Sequence, residues 1–325
     1  MEAQATMAKE YGLYGFCYYH YWFKNGKKLL EKPLERMMAN PKVDIPFCLC
    51  WANENWTRRW DGGNNEVFVE QEYDDIQNLD NHVDYLCQFF ADPRYIREDG
   101  KPLLLIYKPE LIPDIRARVK HIRKRVRKNG FPGVKLFVQY PEFFFRHSIR
   151  RNIFDAYIQF QPLFQERQKF PSWGMRASLK TKLFIKKLLI SLGLWEEINE
   201  MREPFRTQNI KTDPSSALLC NLKNYDSDWQ TILAYRVKDK RLIAGAFVDW
   251  DNTPRNKTGT VYEGATPQKF EMYMRQLVRK VRDEYTKPYI FINAWNEWGE
   301  GAYLEPDQRH KYAYLEALRR ALLEE

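Results

Sequence analysis

Tyr289-Ile290-Phe291-Ile292-Asn293-Ala294-Trp295-Asn296-Glu297-Trp298-Gly299-Glu300-Gly301-Ala302-Tyr303-Leu304-Glu305-Pro306 is the stretch that decides how the chain is arranged. An apolar, β-branched run breaks off into Trp, Asn, Glu and Gly, the pattern of a buried parallel strand that delivers polar groups at its carboxyl end. In α/β barrels that end of the strands carries the chemistry. Glu297 and Glu300 are three apart, so a helical turn after the strand sets their Cβ atoms roughly 5–6 Å from one another on one face. Two carboxylates so placed suit glycosidic-bond chemistry, one protonated to assist the leaving oxygen and one ionised as base or nucleophile. The alternative is a helix N-terminus gathering acids to complement its dipole. Two tryptophans and two glycines in the same short stretch are poor helix material but good walls and turns for a sugar site.

Upstream, the same form recurs. Leu13 to Phe23, Ile45 to Cys50, Pro102 to Tyr107, Val134 to Tyr140, Ala156 to Pro162 and Leu242 to Asp249 read as strands, most of them ending in polar or aromatic residues. Helical patterns separate them, at Pro33 to Ala39, Asp74 to Phe89, Pro113 to Lys128, Trp229 to Lys238 and Pro267 to Tyr285, and Gln308 to Leu323 closes the chain. Strands alternating with helices pair in parallel through right-handed crossovers. A doubly wound sheet concentrates its site at one switch point, whereas a ring of polar strand ends converging on one pocket fits a barrel. A barrel of this kind closes with eight strands, and the count here is seven. The expectation is therefore an α/β fold, a (β/α)8 TIM-type barrel lacking its first strand, one domain over residues 1–325 with a helical insertion at 163–216.

The length of 325 residues and a hydrophobic share of 44% fit such a core, and the aromatic complement of 20 Phe, 20 Tyr and 10 Trp suits sugar rings as well as packing. The net charge of +9 is concentrated in Arg116 to Lys128 and Arg176 to Lys187, away from the aromatic strand ends, which argues against nucleic acid as a partner. The five cysteines (Cys17, Cys48, Cys50, Cys87, Cys220) are odd in number, several fall in strand-like runs and no Cys-x-x-Cys pair occurs; they read as reduced thiols of a cytoplasmic protein. Residues 180–195 form a basic amphipathic pattern, either a helix packed on the barrel or a peripheral contact with an anionic inner membrane.

Four segments, Gly15-Phe16-Cys17-Tyr18-Tyr19-His20-Tyr21-Trp22-Phe23, Cys50-Trp51-Ala52-Asn53-Glu54-Asn55-Trp56-Thr57, Trp250-Asp251-Asn252-Thr253-Pro254-Arg255 and Trp295-Asn296-Glu297-Trp298-Gly299-Glu300-Gly301, together resemble the WbsX family of bacterial surface-polysaccharide loci. That family is related to glycoside hydrolase family 99. The similarity runs from Glu2 to the end apart from the insertion, and the family pattern also has an upstream strand ending in Tyr-x-Pro-Gln-Phe-His that this chain lacks. The resemblance implies a (β/α)8 barrel, no metal or cofactor, and endo-acting cleavage of α-mannosides with retention. It carries the family's Glu-x-x-Glu catalytic pair onto Glu297 and Glu300, the first deprotonating the sugar's own 2-hydroxyl to give an anhydro-sugar and the second serving as general acid and then base. Direct carboxylate attack, the usual route of retaining enzymes, stays open beside it.

Expected sugar-binding residues lie around the strand ends. They are Tyr19, His20 and Tyr21; Trp51, Asn53, Glu54 and Trp56; Lys108, Gln139, Tyr140 and Gln161; Asp249, Trp250, Asp251 and Asn252; and Trp295, Asn296, Trp298 and Glu305. His20 reads equally as a sugar ligand or a satisfied structural histidine, and Glu54 as a substrate-binding group or the partner of Arg58 or Arg59. Asp249-Trp250-Asp251 matches the Asp-x-Asp pattern by which many glycosyltransferases hold a metal-bound nucleotide sugar, but sugar-hydroxyl binding is preferred because carboxylates accept the paired hydrogen bonds of vicinal hydroxyls. The leading function is cleavage or transfer of α-linked, mannoside-like bonds in surface polysaccharide or O-antigen metabolism, on an oligosaccharide or lipid-linked glycan. A nucleotide-sugar-dependent glycosyltransferase and a non-catalytic glycan-binding protein are the alternatives.

Overall fold

The computed structural model describes residues 1–57, 67–139, 152–166, 220–256 and 259–323. Seven parallel strands form its centre: β1 (Phe16–Trp22), β2 (Phe47–Trp51), β3 (Lys101–Ile106), β4 (Lys135–Val138), β5 (Ala156–Ile158), β6 (Leu242–Phe247) and β7 (Ile290–Asn293). They lie side by side in chain order, and a short strand at Lys28–Leu29 runs antiparallel on β1. Such strict succession makes a sheet curl in one direction. The first and last parallel strands come close, with the Phe16 and Trp295 rings 5.2 Å apart. Among the described residues β1 and β7 do not pair, so the sheet is a curled half-barrel of seven parallel strands, the number counted in the sequence, and does not close into a full barrel. The insertion at 163–216 falls outside the described residues from 167 onward, as do Tyr140 and the segment 180–195.

The strands are apolar because both faces are covered. Every residue of β2 and β6 is buried. The covering helices are α1 (Glu2–Glu10), α2 (Glu31–Ala39), α3 (Ile76–Phe90), α4 (Ile115–Lys128), α5 (Tyr225–Ala234), α6 (Pro267–Glu284) and α7 (Ala313–Leu323). Helix α6 starts where the Thr266 side chain accepts the Lys269 amide and Pro267 occupies the first turn, a position that needs no N–H donor. It buries Phe270, Tyr273, Met274, Leu277 and Val281, a stripe at helical spacing. Truncating Leu277 to alanine there would cost about 2–5 kcal/mol in lost transfer energy and cavity. Asp75 and Asn224 cap α3 and α5 in the same way, accepting the amides of Gln77 and Ser227 at 2.8 Å.

Strand alternation then decides what can reach the hollow of the curl. Tyr19 sits opposite Cys50 and His20 opposite Trp51 in the parallel register of β1 and β2, so each pair shares a face. The His20 and Trp51 face looks outward onto α3, where the two imidazole Nε2 atoms of His20 and His82 are 2.9 Å apart and the Trp51 ring lies 4.7 Å from that of His82. The opposite face carries Tyr19, Cys50 and Gln139.

Candidate active site

The site begins with the turn after β7. Asn296–Glu297 and Ala302–Tyr303 form a two-rung antiparallel hairpin, and Trp298–Glu300 between them makes one 3-10 turn. The turn closes through Gly301, whose φ of +62° is a left-handed conformation that disfavours side chains, and a Cβ there would press to 3.0 Å from the Asp251 amide nitrogen. That amide donates to the Glu300 carbonyl at 2.8 Å, so the loop after β6 is clasped to the loop after β7. Within the β6 loop the Asp251 carboxylate accepts the Thr253 amide (3.0 Å) and hydroxyl (2.6 Å), and the Asn252 side chain accepts the Thr260 amide. These bonds shape a strap that delivers Arg255.

Arg255 reaches both acids. One terminal nitrogen lies 2.9 Å from Glu297 Oε1 and the other 3.8 Å from Glu300 Oε1. The guanidinium lies against Gly299, where any Cβ would overlap it. The two carboxyl groups therefore face one cation, with side chains 30% and 23% exposed. Burial, then the neighbouring charge of Glu297, pushes the Glu300 carboxyl up to about 7, against the pull of Arg255. One member of the pair is thus ion-paired and the other poised to hold a proton near neutrality.

Around them, Tyr21 lies within the electrostatic reach of Glu297, Glu54 and Arg255. Its hydroxyl is pushed up to about 12 by burial and by the charge of Glu297, with Glu54 adding to the rise and Arg255 opposing it. Its ring packs edge-on to Trp56 at 5.2 Å. Deeper in the curl, Cys50 Sγ donates to Gln139 Oε1 at 2.8 Å and the Gln139 amide donates to the Tyr19 hydroxyl. Tyr19 meets the Tyr107 ring edge-on at 6.0 Å. Asn296 and Trp298 are exposed on the last turn, and Trp298 stacks on Tyr303 with centroids 3.8 Å apart. The Gln161 side-chain amide is buried, with no hydrogen-bond partner among the described residues.

Several of the expected sugar-binding residues have partners within the protein. His20 is 3% exposed and paired with His82 behind the sheet, and burial, with the charge of Lys28 adding, lowers it to about 3. Trp51 lies on that same hidden face. Asn53 is fully buried: its amide donates to the Lys108 carbonyl at 2.7 Å and its oxygen accepts the Lys108 amide at 2.8 Å, while Tyr73 donates to its backbone carbonyl. Glu54 pairs with the Lys108 ammonium, a partner supplied by the next strand, and that ammonium lies 5.1 Å over the Tyr107 ring. Trp250 is buried, and Asp251 and Asn252 spend their side chains on their own loop. Asp249 accepts the Trp250 amide at 2.7 Å; burial is the main cause raising its carboxyl to about 6, with Asp251 adding and Arg309 opposing. Asp249 and Asp251 thus bond separate groups, and among the described residues no three of His, Cys, Asp or Glu converge as metal ligands. Glu305 accepts the indole N–H groups of Trp295 (3.1 Å) and Trp298 (2.8 Å), which fixes the two rings. Arg255 and Tyr107 were not among the expected site residues; Arg255 ends the Trp250–Arg255 segment that carries the family resemblance, which was the signal available for it.

Fold and turn together define a curled parallel α/β sheet of the kind seen in glycoside hydrolases. A solved "glycoside hydrolase-like protein" superposes with a TM-score of 0.54 at 13% identity, covering 98% of this chain and 84% of its own. The family 99 endo-alpha-mannosidase of Bacteroides thetaiotaomicron does so with a TM-score of 0.50 at 13% identity, covering 99% and 77%. The model of the glycosyltransferase WbsX family matches residues 1–318, and the chain belongs to that family. The uncharacterized protein WxcX of Xanthomonas campestris pv. campestris, from strains B100 and ATCC 33913, is 33% identical over 325 residues; this chain spans 41% of its length.

Proposed function

We propose that this chain acts on glycosidic bonds of a surface polysaccharide or O-antigen, cleaving or transferring α-linked, mannoside-like residues through Glu297 and Glu300. The observation that carries the reading is the shared Arg255: one carboxylate is ion-paired to it, while its neighbour, lifted to about 7, retains a proton for the leaving oxygen. In this assignment Glu300 is the acid that becomes base in the second step, and Glu297 is the base or nucleophile of the first. Tyr19, Tyr21, Gln139 and Trp56 line the approach, offering hydroxyl and amide groups beside aromatic faces. WbsX membership and the likeness to an endo-alpha-mannosidase support a carbohydrate substrate. Whether water or a sugar hydroxyl accepts the glycosyl group separates hydrolysis from transfer, and the same acids serve both.

Incubation with a panel of α-mannan and O-antigen oligosaccharides, with and without an acceptor glycan, and mass detection of shortened or extended products tests the proposal. Turnover that disappears in Glu300→Gln supports it. Binding without turnover in the wild type would mean a glycan-binding protein, and stabilisation by nucleoside diphosphates would favour the nucleotide-sugar route.

A further inference from the structure

Helix α4 carries a charge pattern that the site does not use. Ile115, Val119, Ile122 and Val126 are buried, and no acidic residue occurs between Ile115 and Lys128. Three of its arginines and its histidine meet acids: Arg118 with Asp74, His121 and Arg125 with Asp80, Arg125 with Asp84, and Arg123 with Asp155. Asp74, Asp80, Asp84 and Asp155 are thereby engaged, and the exposed Asp114 precedes the helix. Arg116, Lys120, Lys124 and Arg127 remain on the outer side, all exposed, and none has an ionic or hydrogen-bond partner among the described residues. Their spacing of four, four and three places them in one stripe along the helix, about 17 Å from end to end at 1.5 Å per residue.

We propose that this stripe docks the protein on an anionic lipid bilayer. The four cations stand in a line on a helix already fixed by its buried face, so no chain ordering is needed for them to meet a layer of negative headgroups together. Each basic residue held near such a surface strengthens binding roughly five-fold, so the stripe supplies roughly two to three orders of magnitude over a neutral surface. Leu111, one turn before α4, is 45% exposed and available to enter the headgroup boundary. A single-stranded nucleic acid fits less well, because the outer side of α4 offers no aromatic ring on which bases could stack. No described helix is long and apolar enough to cross a membrane, so the contact would be peripheral.

The test is co-sedimentation of the full chain with vesicles of phosphatidylcholine alone or with a third phosphatidylglycerol, at low and physiological salt. The expected result is binding to the anionic vesicles only, weakening as salt shortens the Debye length to about 8 Å. The variant R116Q/K120Q/K124Q/R127Q should lose at least ~100-fold of that binding with an unchanged unfolding transition. A control, K32Q/K42Q/K238Q/K240Q, removes the same charge elsewhere and should bind nearly as the wild type does. Wild-type-like binding by the α4 variant, equal losses in both variants, absence of vesicle binding, or α4-dependent binding to duplex DNA without vesicle binding would each overturn the proposal.

Discussion

Two strand ends in this chain carry an Asn-Glu pair beside tryptophan, and they have opposite fates. After β2, Asn53 is fully buried and its side chain is spent on Lys108 and Tyr73, while Glu54 is neutralised by the Lys108 ammonium. After β7, Asn296 is exposed, Glu297 and Glu300 share Arg255, and Glu300 is lifted to about 7. The same two letters thus make a clasp in one place and part of a cation-bridged pair of acids in the other. The difference lies in the partners: the Lys108 backbone, a tyrosine and the Lys108 ammonium satisfy the first pair, whereas a single cation bridges two acids in the second and leaves one of them largely desolvated.

The largest expected effect tests the second half of that contrast. Glu300→Gln keeps the shape of the side chain and removes its proton chemistry; turnover should fall by roughly 10²–10⁴-fold with the fold intact, as for loss of a positioned general acid. The wild-type rate should decline on the alkaline side around pH 7, where Glu300 loses its proton. The sign for stability follows from linkage. Because the folded carboxyl binds its proton more tightly than the ordinary value of 4.5, its contribution is complete below that pH and is lost as pH rises through about 7. A rate that stays flat from pH 5 to 9 would remove Glu300 from the acid role.

Asn53→Ala tests the first half. It leaves the part-buried Lys108 amide and carbonyl without their Asn53 partner, each unpaired group costing up to about 1–3 kcal/mol. A loss of about 3 kcal/mol in denaturant unfolding is expected, together with little change in kcat for the fraction that stays folded. A collapse of kcat without loss of stability would instead place Asn53 against substrate.

Arg255→Leu comes third and probes the link between the two carboxylates. Removing the guanidinium takes away the positive charge that holds Glu300 down, so the alkaline limb of the pH–rate profile should move upward. The rate at pH 6 should fall roughly 10- to 100-fold, a barrier increase of about 1.4–2.7 kcal/mol, because Glu297 loses its counter-ion. Arg255→Lys should recover part of it. A variant with an unshifted profile would mean that Arg255 only braces the turn over Gly299.

What the sequence revealed followed what its periodicities can encode. Seven apolar runs became seven strands within a few residues of the expected bounds, and the turn that brings Glu297 and Glu300 to one side was visible in Trp298-Gly299-Glu300-Gly301. Facing was harder to read. Tyr19, His20 and Tyr21 are consecutive and polar-aromatic, yet alternation turns His20 away to His82, whose position in α3 is 62 residues downstream. The buried polar residues Asn78 and His82, one helical turn apart on α3, were the available hint that strand side chains would bond there. The open edge between β1 and β7 agrees with a strand count one short of a closed barrel.

The smallest effect is the most discriminating for the comparison. Glu54 and Lys108 have side chains about a quarter exposed, and ion pairs in such settings contribute roughly 0–1 kcal/mol. Glu54→Gln retains a hydrogen-bonding group for the Lys108 ammonium, so unfolding should shift by under about 1 kcal/mol. If the β2 end is only a clasp, KM and kcat should both stay within about 3-fold, less than the 1.4 kcal/mol that a factor of 10 represents. Glu54 is also one of the charges felt by the Tyr21 hydroxyl, beside Glu297. A rise in KM at constant kcat would therefore bring Glu54 and Tyr21 into the sugar-binding wall, and the two Asn-Glu ends would then differ in which residue meets the substrate and not in whether either does.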